Sequence, residues 1–373
     1  MSGYTALGAL QPEQKRAWIN EALTAYRENF FFKNWMGTSE NSIIQFVKEL
    51  KKTEKGDRAM IGLVPDMVSP GVVGDNTLDD REDSLESDWV EIHCDQLRNG
   101  LKSKGRVDNQ RSILDFRKEA KNKLGYWRAQ RIEQLIILAA SGLHFGQNTD
   151  GSPIDLRGQD DPRDLEFAED VTAPSSGRHL RFTSTGLAQG DTTQIASNSL
   201  PSYGAIVDLH AEARTRGIKP LRIGGQDHYV YLCHPKHFAT LKKDKDFREA
   251  VIHANERGLK HPILTGGTVT MDGIIFHTNN RVFNTTGAAS GSKWGSGGSV
   301  DGTRSLLLGC QAIGFADLWK AIKWYEGKDD HDAKDKISLA SYIGILKTRL
   351  KLKPGQTTSE REDFGVIAVD STI

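Results

Sequence analysis

The segment SILDFRKEAKNKLGYWRAQRIEQLIILAAS, residues 112–141, carries the strongest periodic signal in this chain. Its apolar side chains recur with the spacing of a single helical face: Ile113, Phe116, Ala120, Leu124, Trp127, Ile132, Leu135, Ile136 and Ala139. Ser112, followed three residues later by Asp115, suits a helix start, and Gly142 suits a helix end. The pattern predicts one helix of 30 residues, about 45 Å long, well above the usual length in globular proteins.

The opposite face of this predicted helix is basic. Residues 98–131 contain eleven Lys or Arg and three acidic residues, a charge of plus eight. A solvated helix face is the ordinary meaning of such a run.

Residues 54–107 predict a long excursion of two paired strands. Val90, Ile92 and Cys94 alternate with polar residues, and the apolar run 59–64 is the expected partner strand. Between the two runs, residues 75–88 hold seven acidic residues and one base, a charge of minus six. An isolated two-stranded ribbon is marginally stable in water, so we expect it to lie on another surface. For the acidic tip, a solvated loop and a contact remain equal alternatives.

The first 53 residues predict one or two short amphipathic helices, the second of them formed by Ile43, Ile44, Val47 and Leu50. Four aromatic residues between these helices crowd into six positions: Phe30, Phe31, Phe32 and Trp35. Two interpretations stay open, an ordinary core edge and an arm that packs on another part of the fold or on another chain.

The rest of the chain interleaves helices and strands. Residues 144–199 predict a loop-rich region, followed by a helix at 201–217 and a strand at 228–233. A further helix is expected from Pro235 to Gly258. The later segments predict a hairpin at 266–283 turning at Asp272 and Gly273, a Gly-rich and Ser-rich loop at 287–302, and further strands in 305–319, 337–350 and 364–369.

Composition excludes several classes of protein. Lys plus Arg and Asp plus Glu both number 49, so a net charge of zero provides no long-range attraction to nucleic acid or anionic lipid. The first residues lack the basic and apolar pattern of a secretory signal, and no apolar run approaches membrane-spanning length, so we expect a soluble chain made in a cytoplasm.

Cys94, Cys233 and Cys310 are widely spaced and predict three buried thiols.

No motif marks a catalytic centre. His234 and His237 in CHPKHF lack a carboxylate at metal-ligand spacing, and His331 lies among acidic residues that do not follow a calcium-loop pattern. The Gly-rich loop around Lys293 does not match a phosphate-binding loop. We therefore predict no enzyme, no cofactor and no metal. The alternative left open is an intracellular enzyme or ligand-binding protein with a site near His234 or in residues 329–335.

Three strings carry a family resemblance: HYVYLCHPKHFATLKKD at 228–244, GGTVTMDGIIFHTNNRVF at 266–283 and DFGVIAVDST at 363–372. Together with the order of arm, two-stranded excursion, long helix and mixed region, they resemble the major capsid proteins of tailed bacteriophages. The strings are most similar to the capsid proteins of N-four-like phages. The resemblance covers nearly the whole chain, apart from 144–199.

The resemblance implies an α+β fold of the Hong-Kong-ninety-seven type. Its parts would be an N-terminal arm at 1–53, an extended E-loop at 54–107, a peripheral domain with the spine helix and a loop-rich region at 108–199, and an axial domain at 200–335. Residues 336–373 would supply a return strand of the peripheral domain and a C-terminal strand.

The resemblance also implies a function and partners. The chain would self-assemble into hexamers and pentamers that form the icosahedral head shell around phage DNA. Expected partners are other copies, a scaffolding protein, a portal and a cement or decoration protein, with packaged DNA as a non-specific neighbour and no membrane. The shell would be assembled in the cytoplasm of the host bacterium.

The two opposite charge blocks predict a contact between copies. The acidic candidates are Asp79, Asp80, Glu82 and Asp83, and the basic candidates are Arg117, Lys118, Lys121 and Arg128. Single exposed ion pairs contribute only about 0 to 1 kcal/mol, so the effect must come from several pairs repeated around a ring.

Overall fold

A computed structural model describes residues 30–47, 58–63, 70–77, 79, 87–105, 115–254, 269–317, 323–331, 333–351 and 356–373. The helices in this part of the chain are α1 Phe116–Ser141, α2 Tyr203–Thr215, α3 Pro235–Lys243 and α4 Lys245–Ala254. The strands up to the middle of the chain are β1 Met36–Gly37, β2 Ile44–Val47, β3 Arg58–Leu63, β4 Asp88–His93, β5 Asp95–Lys102, β6 His179–Phe182, β7 Leu187–Gln189, β8 Leu221–Ile223 and β9 Gln226–Cys233. The later strands are β10 Val269–Met271, β11 Ile274–Thr278, β12 Gly302–Leu308, β13 Ile313–Asp317, β14 Lys323–Asp329, β15 Lys334–Lys347, β16 Arg349–Leu350, β17 Glu362–Asp363 and β18 Val366–Thr372.

Helix α1 begins later than its periodicity predicts. Asp115 has an extended backbone, and its carboxylate accepts hydrogen bonds from the backbone N–H groups of Arg117 at 2.9 Å and Lys118 at 3.3 Å. Asp115 is therefore the N-cap itself, and the helix has 26 residues instead of the predicted 30. The predicted first turn at 112–114 lies outside the described residues. Gly142, with φ 69°, ends the helix as predicted.

The two halves of α1 have different surroundings. From Ile132 to Ser141 every side chain except the half-buried Gln134 is buried, in a core that also contains residues of both large sheets. In the first half, Ala120 and Leu124 pack against Ile337 of β15, and the opposite side faces solvent. The helix thus passes from a surface into the centre of the fold.

An eight-stranded sheet forms one wall of this core, in the order β10, β11, β9, β12, β18, β6, β7, with β8 paired to β9. Its central strands β12 and β18 are buried on both faces. In β12, Leu306 and Leu308 face the core that contains α1, whereas Leu307 faces a second core beneath α2, α3 and α4. This burial on both sides explains why the central strands show no clean alternation of apolar and polar residues.

A six-stranded sheet forms the other wall, and β15 is its longest strand with 14 residues. The first part of β15 pairs with β14 and β5, and its last part pairs with β13. We call β14, β5 and the paired part of β15 the three-stranded ribbon. The first half of α1 packs on this ribbon.

Strands β3 and β4 pair antiparallel as the sequence predicts, and we call them the two-stranded ribbon. The turn at Asp272 and Gly273 is also confirmed, with φ angles of 47° and 77° between β10 and β11. The predicted loop-rich character of 144–199 is confirmed, and β6 and β7 within it join the eight-stranded sheet. The eight-stranded sheet therefore contains strands from three of the five predicted domain ranges: 108–199, 200–335 and 336–373. The boundaries of these ranges stay a prediction.

Two predicted helices are wrong. The segment containing Ile43, Ile44 and Val47 forms strand β2, which pairs in parallel with β13. Between Pro235 and Ala254 the chain forms two helices instead of one, because Asp244 adopts an extended conformation. The predicted helix end at Gly258 lies outside the described residues.

The aromatic cluster at Phe30, Phe31, Phe32 and Trp35 belongs to the core of its own subunit. Phe32 is fully buried, and the ring centroids of Trp35 and His277 lie 4.6 Å apart. This packing within one subunit fits both a core edge and an arm that packs on another part of the fold, and a contact with another chain stays a prediction. The first of the two helices predicted in residues 1–53 lies outside the described part of the chain. All three cysteines are free and buried, as predicted.

Candidate assembly surfaces

The inner face of the two-stranded ribbon lies flat on the six-stranded sheet. Ile61 and Ile92 are buried there against Ala316 and Leu346. The approach requires a glycine on the sheet, because a Cβ at Gly314 would lie 2.5 Å from Cδ1 of Ile61. The ribbon therefore has one covered face and one face open to other molecules.

Strand β4 is tied to the rest of the subunit at both ends. At its start, the Asp88 carboxylate is buried and accepts hydrogen bonds from the Arg361 guanidinium and from the backbone N–H of Lys351 at 2.8 Å. At its end, His93 Nδ1 lies 2.9 Å from Oδ1 of Asp170. These contacts fix strand β4 to its own subunit at both ends.

The acidic candidates lie in that segment. Asp79 is described and exposed. Asp80, Glu82 and Asp83 lie outside the described residues. Asp88, the last acid of the block, pairs with Arg361 and is neutralised within its own subunit.

The basic candidates on α1 differ in their surroundings. Lys118 is exposed and Lys121 is half-buried. Arg117 is partly exposed and pairs with Glu326 of the three-stranded ribbon at 2.9 Å. The structure thus places Arg117, Lys118 and Lys121 at exposed or partly exposed positions near the start of the helix.

Arg128 is a correction to the predicted contact set. Its side chain is 3% exposed, its Nε donates to Oγ of Ser341 at 2.7 Å, and its Nη2 donates to Oδ2 of Asp317 at 3.2 Å. The guanidinium binds strands of its own subunit, so it offers no surface to a neighbour. The predicted basic helix face is present, but helical periodicity alone did not distinguish the buried Arg128 from the exposed Lys118 and the half-buried Lys121.

In the described part of the chain, His234 and His237 both make structural contacts. His234 is the N-cap of α3, where its Nδ1 accepts from the backbone N–H of Lys236 at 3.3 Å. His237 is fully buried, with Nε2 3.0 Å from the Tyr231 hydroxyl and Nδ1 2.8 Å from the Ser371 hydroxyl. Both ring nitrogens of His237 are thus engaged, and burial lowers its pKa to about 3.

This burial predicts an acid-sensitive contribution to stability. The ordinary pKa of histidine is 6.5, so His237 binds a proton below this pH in the unfolded chain. In the folded protein its imidazole stays neutral down to about pH 3. Stability should therefore fall as the pH is lowered through this window, by about 1 kcal/mol per pH unit from this residue. In His237→Gln, urea unfolding of unassembled subunits between pH 6 and pH 4 should show a slope smaller by that amount. The exposed His331→Gln is the control, and an unchanged slope in His237→Gln would refute the prediction.

Two acidic residues of the cluster at 329–335 pair with neighbouring lysines. Asp329 pairs with Lys336 at 2.8 Å and with Lys102, and these two hydrogen bonds hold the pKa of Asp329 well below its usual range. Asp330 pairs with Lys334 at 2.6 Å. Asp332 lies outside the described residues. Within the described ranges, no group of three His, Cys, Asp or Glu side chains has a geometry that could hold a metal ion.

A buried ion network escaped the sequence analysis. Arg304 of β12 donates to both carboxylate oxygens of Asp370 on β18, at 2.7 and 2.9 Å, and to the backbone carbonyl of Ser141 at the end of α1. His179 Nε2 lies 2.7 Å from Oδ2 of Asp370. Burial alone would raise the pKa of Asp370, but Arg304 and His179 hold it below its ordinary value. The sequence feature that could have indicated this network is the single carboxylate of Asp370 inside the mostly apolar string GVIAVDST.

The described residues contain no helix with the length and apolar content needed to cross a bilayer. The family model described as "Phage capsid protein" matches residues 7–373. The major capsid protein of Pseudomonas phage KPP25 is 39% identical in an alignment of 372 residues that covers 98% of this chain and 97% of that protein.

Solved structures show the same fold at lower identity. The capsid of Ralstonia phage GP4 superposes with a TM-score of 0.74 at 21% identity, covering 100% of this chain and 95% of that one. The capsid of cyanophage Pam1 has a TM-score of 0.69 at 16% identity, covering 100% and 96% of the two chains. The predicted α+β fold of the Hong-Kong-ninety-seven type is thereby confirmed.

Proposed function

The chain belongs to the phage capsid protein family and is a capsid shell protein of the virion, and from this premise we propose how its copies assemble. Copies join into hexamers and pentamers that close into an icosahedral shell around packaged DNA. The observation that carries this proposal is the 39% identity to a phage major capsid protein along almost the full length of both chains. Copies that meet through different patches on each side form rings, which can tile a closed surface.

The proposed contact between copies joins the acidic segment at 75–88 to the first half of α1 on a neighbour. On the receiving side, Arg117, Lys118 and Lys121 remain candidates, and Arg128 is removed from the set. On the other side, the contacts of the buried Asp88 fix the end of this segment where strand β4 begins. Each ion pair is weak, so the contact depends on repetition and on the raised effective concentration within a ring.

Further partners follow from the same proposal. A scaffolding protein and a portal would act during assembly in the host cytoplasm, a cement protein would bind the finished shell, and DNA would be a neighbour held without specific contacts. The net charge of zero supports a wall that does not adhere to the DNA it encloses. We also propose that the chain is not an enzyme, a conclusion supported by the bonded state of His237 and of Asp329.

Electron microscopy and analytical ultracentrifugation of the purified chain test the function. We expect closed particles, or rings of five and six subunits, in the megadalton to submegadalton range. A monodisperse monomer or dimer under all assembly conditions, with or without a scaffolding protein, would refute self-assembly through these surfaces.

Charge reversal tests the acidic contact. Changing Asp79, Asp80, Glu82 and Asp83 to Lys should leave the circular dichroism of the subunit unchanged but weaken assembly, because like charges would then meet. Wild-type assembly should slow at high salt because of screening.

A matched control changes four exposed acids of the loop-rich region to Lys: Asp160, Asp164, Glu166 and Glu169. Sedimentation should show shells for this control at the wild-type concentration. Normal shells from the first variant, or equal loss in both, would contradict a specific contact at the acidic segment.

A further inference from the structure

The guanidinium of Arg178 is buried without a hydrogen-bond acceptor from the described part of the chain. Arg178 is 0% exposed, and its Nε, Nη1 and Nη2 donate no hydrogen bond there. Oε2 of Glu362 lies 3.6 Å from Nε, beyond hydrogen-bonding distance, and the Glu362 side chain is 40% exposed. Buried polar groups in native proteins almost always have a partner, so these three donors require one.

The turn that carries this guanidinium is fixed on both sides. Residues Ser176–Arg178 form a 3₁₀ turn ahead of β6. Before the turn, the backbone N–H of Ser175 donates to Oδ2 of Asp363 on β17 at 3.1 Å, and the Ser175 hydroxyl accepts from the backbone N–H of Asp363 at 3.3 Å. Within it, the carbonyl of Gly177 accepts from the guanidinium of Arg216 at the end of α2. This fixed backbone holds the last side chain of the turn in the interior.

The buried carboxylate next to the turn is already occupied by other donors. Oδ2 of Asp363 accepts from Nζ of Lys347 at 2.9 Å as well as from Ser175, and Oδ1 accepts from Nε of Arg349 at 2.7 Å. The Lys347 side chain is 0% exposed, and burial lowers its pKa to about 8. Arg178 and Lys347 are thus two fully buried cations, and Asp363 is the one fully buried carboxylate that attracts both.

The partly exposed charges around the turn cancel one another: Arg216 and Arg349 are positive, and Glu212 and Glu362 are negative. With the three buried groups, four cations face three carboxylates, which leaves one positive charge in excess. A neutral acceptor would satisfy the free donors but leave this charge, whereas an anion would do both. Guanidinium groups are also well suited to anion recognition. We propose that a small monovalent inorganic anion of the chloride type binds inside the subunit against Arg178.

The anion would connect three parts of the fold. The turn belongs to the loop-rich region at 144–199, and its neighbours are β17 and the end of α2. These parts come together only in the folded chain, so the site is absent from the unfolded chain. Binding to the folded state alone stabilises it by mass action. The proposal rests on this geometry and does not depend on self-assembly.

Urea unfolding of unassembled subunits at different chloride concentrations tests the proposal. Sodium gluconate keeps the ionic strength constant, because its anion is too large for a buried site of this kind. Above the dissociation constant, each tenfold increase in chloride should raise the folding equilibrium constant by about tenfold, as for one site. A wild-type chain without chloride dependence would overturn the proposal.

Two variants assign this dependence to the buried site. Arg178→Met removes the donors and should show no chloride dependence. We expect it to fold, because Met fills a similar volume and Glu362 stays partly solvated, with circular dichroism as the check. Arg222→Met is the matched control, since that side chain is 81% exposed, and it should keep the wild-type dependence. Equal dependence in Arg178→Met and wild type would overturn the proposal.

Anomalous diffraction identifies the bound atom in the wild-type chain, also if Arg178→Met does not fold. Bromide substitutes for chloride and scatters anomalously near its absorption edge, whereas water does not. Crystals grown with sodium bromide should show an anomalous peak within hydrogen-bonding distance of the Arg178 guanidinium. An ordered water at that position, or bromide bound only at exposed positions as an adventitious ion, would overturn the proposal.

Discussion

Ile136→Asp should produce subunits that are unfolded or insoluble. Ile136 is fully buried in the second half of α1, within the core shared by the two large sheets. A carboxylate there would have no partner, and its desolvation would cost several kcal/mol, a large fraction of the stability of a domain. Soluble expression, circular dichroism and urea unfolding measure the effect.

Two companion variants make this result interpretable. Asn122→Asp places the same carboxylate on the exposed side of the same helix and should fold normally. Ile136→Ala should fold with a loss of about 2 to 5 kcal/mol, because it removes buried apolar volume without adding charge. Soluble Ile136→Asp protein that assembles normally would show that this part of α1 is not in the core.

Asp370→Ala should destabilise the subunit by about 3 to 5 kcal/mol, the usual effect of removing one member of a buried ion pair. Arg304 is 6% exposed and would lose the carboxylate that accepts two of its hydrogen bonds. The same guanidinium bonds the carbonyl of Ser141, so the end of α1 would also lose its fixed anchor on β12.

Urea unfolding distinguishes this network from ordinary ion pairs. Glu249→Ala, which removes the exposed pair with Lys245, is the control and should change stability by less than about 1 kcal/mol. The double variant Arg304→Met with Asp370→Leu should recover much of the loss, because replacing both members of a buried pair with apolar residues is often neutral. A loss below 1 kcal/mol in Asp370→Ala would mean that the network does not support α1.

The anchoring of α1 has a consequence for assembly. The first half of the helix carries the basic candidates Lys118 and Lys121, and its second half is locked between the two sheets. A surface built on a rigid element keeps its shape when a partner binds, so less binding energy is spent on ordering it. Loosening the Ser141 end should therefore also weaken shell formation in subunits that still fold.

The amino-acid sequence alone determined the elements whose stability is local or periodic. The long apolar stripe of α1 placed its end at Gly142, and the dipeptide Asp272 and Gly273 placed the turn between β10 and β11, because positive φ angles suit these residues. The alternation around Val90 and Ile92 likewise identified β4 and its pairing with β3. These features depend on neighbours close in the chain or on one exposed face.

Only the tertiary structure decided which segments pair as strands and which charged side chains are exposed. Ile43 and Ile44 fit a helix in sequence, but hydrogen bonds from β13, far along the chain, make the segment a strand. The same basic run contains the exposed Lys118 and the buried Arg128, and only the positions of Ser341 and Asp317 separate them. Periodicity reports the side of an element on which apolar residues lie. It does not report which distant residue will neutralise a charge, since that depends on packing between segments remote in sequence.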